Sequence, residues 1–134
     1  YEAVGPVKKS KLKKFTTNGI NGHYVVLRLI QKEKFNPISA KSYCSQELGK
    51  SYDWYFNWDD TEIYCSELVW KAYKATGIEI CKPRPLKDYN LTSPTVQTVL
   101  EQRYGKNIPK EELMVAPSDL FSSSLLQIVY KNKK

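Results

Sequence analysis

Cys65 is the residue whose type and position most favour chemistry. It lies in IYCSELVWKAYKATG, residues 63 to 77, where apolar residues recur at helical spacing up to Gly77. The pattern predicts a helix over 65–76 with Cys65 in its first turn. Unpaired N–H groups and the helix dipole stabilise a thiolate there and can form part of an oxyanion hole. Cys65 is a candidate nucleophile, and the alternative is a buried structural cysteine.

A nucleophilic cysteine needs a base within hydrogen-bond reach and a third group that orients the base. The only histidine is His23, which follows an Asn-Gly turn at the start of HYVVLRLI. A papain-like site pairs a cysteine at a helix N-terminus with a histidine on a strand, so His23 is a candidate base. Its place at the extreme end of a predicted strand favours the alternative, an exposed loop histidine.

Cys44 and Cys81 are the other two thiols. Cys44 falls on the apolar face of a predicted helix, so we expect it to pack in the core as a small hydrophobe. The three cysteines show no CxxC spacing, and a single histidine gives little support to a Cys/His zinc site. We expect no metal and no cofactor. At most one disulfide can form, which leaves a thiol free or paired with another chain.

The elements that must position these residues predict one α+β domain over residues 1–134. The start, YEAVG, is typical of the end of a strand, SKLKKF of a helical turn capped by Ser10, and VAPSDLF of a turn or short helix. Periodicity and breakers predict two strands, 23–30 and 125–130, and three helices, 38–48, 65–76 and 95–103, the last with Ser93 as its cap.

The helix after Cys65 is predicted to bury one face and to expose Lys71 and Lys74. Glu67 is interpreted as a first-turn carboxylate that the helix dipole favours. The apolar face is predicted to consist of Leu68, Val69, Ala72 and Tyr73.

An aromatic segment, residues 52–58, precedes that helix. Together with Tyr89 and the Pro-rich loop around it, this segment could form the floor of an apolar groove that holds a ligand. The alternative is that the aromatic side chains simply cover the core.

The charge of +7 comes partly from lysine clusters near both ends of the chain. Such a surface attracts anionic polymers or lipids, and the alternative is an ordinary solvated face. No zinc-finger spacing, RNP-like strand or heptad array indicates a specific nucleic-acid partner. The clustered residues are Lys8, Lys9, Lys11, Lys13, Lys14, Lys131, Lys133 and Lys134.

Five segments together resemble the YiiX-like permuted papain family, which is related to NlpC-type cell-wall cysteine hydrolases. They are YEAVGPVK, HYVVLRL, LGKSYDWYFNW, YCSELVWKAY and EQRYGKNIP, and the resemblance covers essentially all 134 residues. It implies a circularly permuted papain-like fold, with an antiparallel sheet packed against helices. It also implies that Cys65 is the nucleophile, that Glu2 orients the histidine, and that Tyr64 helps to shape the oxyanion site.

The chain departs from the family pattern at the base. The resemblance implies a histidine in a Ser-His-x-Gly segment upstream of Tyr1, and His23 does not match it. We therefore expect this chain to be the C-terminal portion of a hydrolase, inactive alone, whose site an N-terminal segment or a second chain completes.

The resemblance implies hydrolysis of an amide or acyl carbonyl in peptide, peptidoglycan-like or lipid-like substrates. It also implies a bacterial cell-envelope or periplasmic location, where the cationic surface would lie near anionic membrane or wall. The alternative function is a non-catalytic module that binds an anionic or lipid-like partner.

Overall fold

The computed structural model describes residues 1–132. Lys133 and Lys134 of the predicted C-terminal lysine cluster lie outside the described residues. Short 3-10 turns occur at Ile20–Gly22, Lys32–Lys34 and Leu86–Asp88. The elements, in chain order, are α1 (Leu12–Phe15), β1 (Val25–Leu29), α2 (Pro37–Gln46), α3 (Cys65–Lys74), β2 (Arg84–Pro85), α4 (Pro94–Tyr104), β3 (Leu113–Met114), α5 (Pro117–Phe121) and β4 (Leu126–Lys131).

Two small antiparallel sheets accompany the helices. Strand β1 pairs with β4 in a register that joins Leu29 to Leu126, and the two-residue strands β2 and β3 pair with each other. The predicted α+β class with antiparallel sheets is therefore confirmed. Both longer strands lie close to the predicted ranges, but β1 begins at Val25, because the turn that ends at Gly22 leaves His23 in the connecting segment.

Local caps explain where α2 and α1 begin. The Asn36 side chain accepts hydrogen bonds from the N–H groups of Ile38 and Ser39, so α2 begins one residue earlier than predicted, at Pro37. The prediction of Ser10 as the cap of α1 is wrong. Lys11 occupies that position, and the Ser10 hydroxyl donates to Glu2 instead.

The first ten residues fold back on themselves rather than ending a regular strand. Glu2 and Lys8 form an isolated antiparallel bridge, in which each backbone N–H donates to the other residue's carbonyl oxygen at 3.0 Å. Val7 then pairs with the segment after α2 through Gly49 and Lys50. These backbone bonds hold Glu2 against the rest of the molecule.

Helix α3 packs between two groups of buried side chains. Leu68 and Ala72 belong to the first core cluster, whose other members are Ala3, Val7, Cys44 and Ile63. Trp70 belongs to the second, with Leu29, Ile80, Val115 and Leu120. Burying apolar side chains on two sides fixes both the position and the rotation of α3.

The two-sided packing changes the predicted buried face of α3. Val69 is 39% exposed, whereas Trp70, which was not predicted to be buried, is in the core. Trp70 Nε1 donates to the Cys81 carbonyl at 2.8 Å, which satisfies the polar atom of a buried indole. Leu68 and Ala72 are buried as predicted. Among residues 1–132, no helix is long and apolar enough to cross a membrane.

Candidate active site

Cys65 is the first residue of α3 and is partly exposed. The extended backbone of Tyr64 precedes it, so the helix begins where the sequence predicts. The N–H of Tyr64 donates to Glu67 Oε2 at 3.2 Å. The N–H groups of Cys65 and Ser66 have no acceptor among residues 1–132, as is usual in a first helical turn. The thiol therefore lies beside unpaired donors.

The other two thiols are in different surroundings. Burial raises the pKa of Cys44, which packs in the first core cluster as predicted. Burial, together with the nearby carboxylates of Asp119 and Glu79, raises the pKa of Cys81 to about 11. All three cysteines are free. Since reactivity depends on the thiolate, Cys44 and Cys81 are poor nucleophiles.

Tyr64 is buried beneath the helix start. Its hydroxyl accepts a hydrogen bond from the Val115 N–H at 3.1 Å, and its ring meets Phe56 edge-on with centroids 5.0 Å apart. Burial raises its pKa well above that of an ordinary tyrosine. The side chain thus joins α3 to the core, and its role at the oxyanion site stays a prediction.

Glu67 is present in the first turn as expected, but it is fully buried at 0% exposure. Lys71, one turn later, forms an ion pair with Glu67 Oε1 at 2.8 Å and another with Asp60 at 2.8 Å. Burial raises the pKa of Glu67 to about 7, and the Lys71 ammonium opposes the rise. The Lys71 side chain was predicted to be exposed. It is only 15% exposed, because its ammonium group pairs with the buried Glu67 carboxylate.

Glu2 is also buried, with 7% of its surface exposed. Ser10 donates to its Oε1, and the Lys8 ammonium lies 3.8 Å from the same oxygen. Oε2 has no hydrogen-bond partner among residues 1–132. A buried carboxylate oxygen without a donor is uncommon and calls for an explanation.

A cavity of about 620 Å³ lies beside Glu2, and His23 lines its wall. His23 forms no hydrogen bond with Glu2 or Cys65 among residues 1–132. Glu2 and Cys65 both adjoin the first core cluster, because Ala3 follows Glu2 and Ile63 and Leu68 flank Cys65. The packing brings their elements together, with no direct hydrogen bond between the two side chains.

Some side chains of the aromatic segment before α3 line cavities, and others pack against the core. Phe56 and Tyr89 line an apolar cavity of about 410 Å³, as the groove hypothesis requires. Trp54 and Tyr55 line a neighbouring cavity of about 340 Å³. Trp58 instead packs edge-on against Trp70, with centroids 5.1 Å apart. The other residues that line the apolar cavity are Leu86, Asn90, Leu91, Thr95, Val96, Val99, Leu100, Met114 and Ser118.

Tyr52 and Arg103 are residues at the aromatic segment that the sequence analysis did not single out. The pKa of Tyr52 is raised, chiefly by burial and also by the neighbouring Cys65 charge. The Arg103 guanidinium opposes this rise. Arg103 is on α4, and only long-range packing brings it to the aromatic segment. No local pattern indicates that contact. Tyr52 lies in the aromatic run, which was the one available signal.

No group of three or more His, Cys, Asp and Glu side chains could hold a metal ion within residues 1–132. The donor set around Cys65 and Glu2 therefore does not fit a metal centre formed by this part of the chain.

Comparison with known proteins identifies the class. A model of the permuted papain-like amidase family that contains YaeF and YiiX matches residues 1–130. The chain belongs to this family, which confirms the resemblance and the circularly permuted papain-like fold.

Two relatives from Escherichia coli show how closely the chain follows that family. The protein YiiX of strain K12, described as uncharacterized, is 43% identical over 137 residues, which span 98% of this chain and 66% of YiiX. The crystal structure titled metalloprotein yiiX, from strain O157:H7, superposes with a TM-score of 0.89 at 41% identity and covers 98% of this chain and 74% of that one. The chain thus spans just under two thirds of the length of its curated relative.

Proposed function

We propose that the protein is a cysteine hydrolase in which the Cys65 thiolate attacks an amide or acyl carbonyl. The observation that carries the proposal is the position of Cys65, partly exposed at the first residue of α3 beside unpaired N–H groups. Membership of a permuted papain-like amidase family supports the same reaction class. The raised pKa values of the Cys44 and Cys81 thiols leave Cys65 as the best placed thiol.

The reaction would proceed through an acyl-enzyme. Sγ of Cys65 forms a bond to the carbonyl carbon, and the resulting oxyanion accepts hydrogen bonds from first-turn N–H groups such as that of Ser66. The base, which has taken the proton of the Cys65 thiol, gives that proton to the leaving amine or alcohol as the carbon–heteroatom bond breaks. The same base then takes a proton from water, whose oxygen attacks the thioester and releases the acid and the thiol.

The base in this proposal is a histidine of a Ser-His-x-Gly segment, contributed by an N-terminal segment or a second chain. Glu2 supports this view, because its buried Oε2 lacks a donor among residues 1–132 and could accept an imidazole N–H. On this proposal residues 1–134 alone would hydrolyse substrate slowly, since general acid–base catalysis is worth about 10²- to 10⁴-fold.

The proposed substrates are peptide, peptidoglycan-like or lipid-like molecules of a bacterial cell envelope or periplasm. The apolar cavity of about 410 Å³ beside Phe56 supports a substrate with an apolar portion. Exposed lysines such as Lys11 and Lys13 support a location near anionic membrane or wall polymer.

The test is an acyl-enzyme trapping experiment on the full-length protein. Peptide amides, muropeptides and fatty-acyl amides are incubated with the protein, and intact mass after rapid acid quenching reports acylation. We expect a mass increase that maps to Cys65 and disappears in Cys65→Ala. The matched control, Cys81→Ala, should acylate like the wild type. The same preparations should be sequenced from the N-terminus, to show whether a Ser-His-x-Gly segment or a second polypeptide is present.

Hydrolysis that survives Cys65→Ala would contradict the proposal. Tight binding of an anionic or lipid-like ligand, with no acylation in a preparation that contains the Ser-His-x-Gly segment, would favour the non-catalytic binding module.

A further inference from the structure

Arg103 occupies a preformed site beside the aromatic segment. Its guanidinium carbon lies 4.0 Å from the Phe56 ring centroid and 5.8 Å from that of Trp54. Nη1 donates to the Trp54 carbonyl oxygen at 3.3 Å. Ring stacking and this hydrogen bond hold the guanidinium in one orientation, so little side-chain entropy would be lost when it binds a ligand. We call Tyr52, Trp54, Phe56 and Arg103 the arginine site.

The guanidinium of Arg103 is held without an acidic partner. The side chain is partly buried, yet it forms no ion pair with a carboxylate among residues 1–132. Arg84, the other arginine stacked on an aromatic ring, differs because Asp119 pairs with it at 2.9 Å. A planar cation with unused donors is suited to bind a carboxylate or a phosphate.

Two observations link the arginine site to the start of α3, where Cys65 lies. The Phe56 ring that Arg103 covers packs edge-on against Tyr64, the residue before Cys65. The Tyr52 ring packs against Trp54 with centroids 4.9 Å apart, and burial, together with Cys65, raises the Tyr52 pKa while Arg103 opposes the rise. The guanidinium therefore lies one aromatic ring away from Tyr64, the residue that precedes the proposed nucleophile.

Residues of the arginine site also line two neighbouring cavities, one of which is apolar and the other of which contains the Arg103 cation. Phe56 lines the apolar cavity of about 410 Å³, and Arg103 lines the neighbouring cavity of about 340 Å³. Val99 of α4 contributes to both cavities. A ligand could thus place an apolar portion on one side of the Phe56 ring and an anionic group on the other.

We propose that Arg103 is a specificity residue that binds a carboxylate or phosphate group of the substrate close to the carbonyl that Cys65 attacks. This inference rests on the proposed function and narrows its substrates to amides or acyl compounds that carry an anionic group. Arg103 binds the anion, Phe56 and Trp54 hold the guanidinium in place, and Cys65 reacts.

Paired alkylating reagents test this inference without requiring turnover. Iodoacetate and iodoacetamide react with a thiolate in the same way: a sulfur–carbon bond forms, the carbon–iodine bond breaks and iodide leaves. Only iodoacetate carries a carboxylate. The full-length protein is labelled with each reagent at low ionic strength, and the labelling rate of the peptide that contains Cys65 is followed by mass spectrometry. Because the readout is that peptide alone, the other cysteines do not interfere.

We expect the ratio of the iodoacetate rate to the iodoacetamide rate to fall about fivefold in Arg103→Gln, since the anionic reagent loses its attraction to the Arg103 cation. Arg103→Lys should keep most of the ratio because it keeps the charge. Arg28→Gln is the matched control, because Arg28 is an exposed arginine on β1, and it should leave the ratio unchanged.

A second arm separates the two possible anionic groups. Sodium acetate and inorganic phosphate are added at constant ionic strength, and the slowing of the iodoacetate reaction at Cys65 is measured. Stronger protection by acetate assigns a carboxylate, and stronger protection by phosphate assigns a phosphate group. In either case Arg103→Gln should abolish the protection, whereas protection by neither anion would contradict an anion site.

The outcomes distinguish this inference from the proposed function. If Cys65 reacts normally with iodoacetamide but Arg103→Gln leaves the reagent ratio at the wild-type value, the arginine site is not an anion site and only this inference fails. If Cys65 of the folded protein reacts with neither reagent, the nucleophile assignment fails, and the substrate inference fails with it.

Discussion

Glu2 and Glu67 are both buried carboxylates, but their surroundings differ. Glu67 Oε2 accepts a hydrogen bond from the Tyr64 N–H, and Oε1, which has no partner in hydrogen-bond geometry among residues 1–132, is held in an ion pair with the Lys71 ammonium at 2.8 Å. Glu2 has Ser10 and Lys8 at one oxygen and no hydrogen-bond partner at the other among residues 1–132. A fully partnered carboxylate is expected to stabilise the fold. A half-partnered one is expected to act on another group.

The difference matters because burying a carboxylate is unfavourable unless its oxygens are satisfied. The ion pair with Lys71 offsets part of this cost at Glu67. The other Glu67 oxygen accepts from the Tyr64 N–H and so holds the residue before Cys65 in place. At Glu2 the cost is offset at one oxygen only. Variants of the two residues should therefore affect different properties, with Glu2 changing activity and Glu67 changing stability.

Glu2→Gln should cause the largest change. Glutamine keeps the shape of the side chain and one acceptor oxygen. Its other terminal atom is an NH₂ group, which cannot accept a hydrogen bond from an imidazole N–H. We expect kcat/KM of the full-length protein to fall by up to about ten-thousandfold, the scale on which a triad acid acts, with the free energy of unfolding changed by less than about 1 kcal/mol. Steady-state kinetics and urea unfolding measure the two effects.

Glu33→Gln is the control for that variant, because Glu33 is an exposed carboxylate on a surface turn and should affect neither property. Wild-type kcat/KM in Glu2→Gln would show that the unpartnered oxygen has no role in turnover, and the contrast with Glu67 would then be one of packing alone.

Glu67→Ala should give the largest loss of stability. The substitution removes the buried partner of Lys71 and leaves the Tyr64 N–H without its acceptor. We expect the free energy of unfolding to fall by about 3–5 kcal/mol, as when one member of a buried ion pair is deleted. Urea unfolding measures it, with Glu67→Gln as the conservative variant. Because glutamine can still accept from Tyr64, it should lose clearly less, and equal losses in the two variants would contradict the assigned contacts.

The pH dependence of stability sharpens the same contrast. Burial raises the pKa of Glu67 from 4.5 to about 7, so the folded state binds a proton more tightly than the unfolded state does. The proton-linked part of the Glu67 contribution is therefore fully present below about pH 4.5 and is lost as the pH rises through about 7, by on the order of 3 kcal/mol.

The measurement is the difference in free energy of unfolding between wild type and Glu67→Gln at several pH values. Relative to the variant, the wild type should lose stability between about pH 4.5 and pH 7. A difference that stays flat over this range would show that Lys71 keeps Glu67 ionised throughout.

The start of α3 could be predicted from the sequence because its signals are local. Apolar spacing, the stop at Gly77 and the position of Cys65 lie within fifteen residues, and the structure begins the helix at Cys65. The β1 and β4 strands were likewise visible as alternating, β-branched runs. The antiparallel sheet and the permuted papain-like fold came from the family resemblance, whereas the pairing of β1 with β4 was seen only in the structure.

The burial of Glu67 and Glu2 depends on contacts that local patterns do not show. Glu67 and Lys71 are four residues apart, a spacing that is common on exposed helix faces, and only the packing of α3 on both sides covers them. The exposure of Val69 and the burial of Trp70 have the same cause. Arg103 reaches Trp54 across 49 residues of sequence, a contact that no short motif encodes.

Ser10→Ala should produce the smallest effect and bears most directly on how Glu2 is held. The Ser10 hydroxyl donates to the partnered oxygen of Glu2, so its removal leaves Lys8, 3.8 Å away, as the only nearby donor at that oxygen among residues 1–132. One such hydrogen bond is worth about 1 kcal/mol, so we expect kcat/KM to fall about fivefold. Ser122→Ala, an exposed serine after α5, is the matched control. If Ser10→Ala reduced activity as much as Glu2→Gln does, the orientation of the carboxylate, rather than its free oxygen, would limit the reaction.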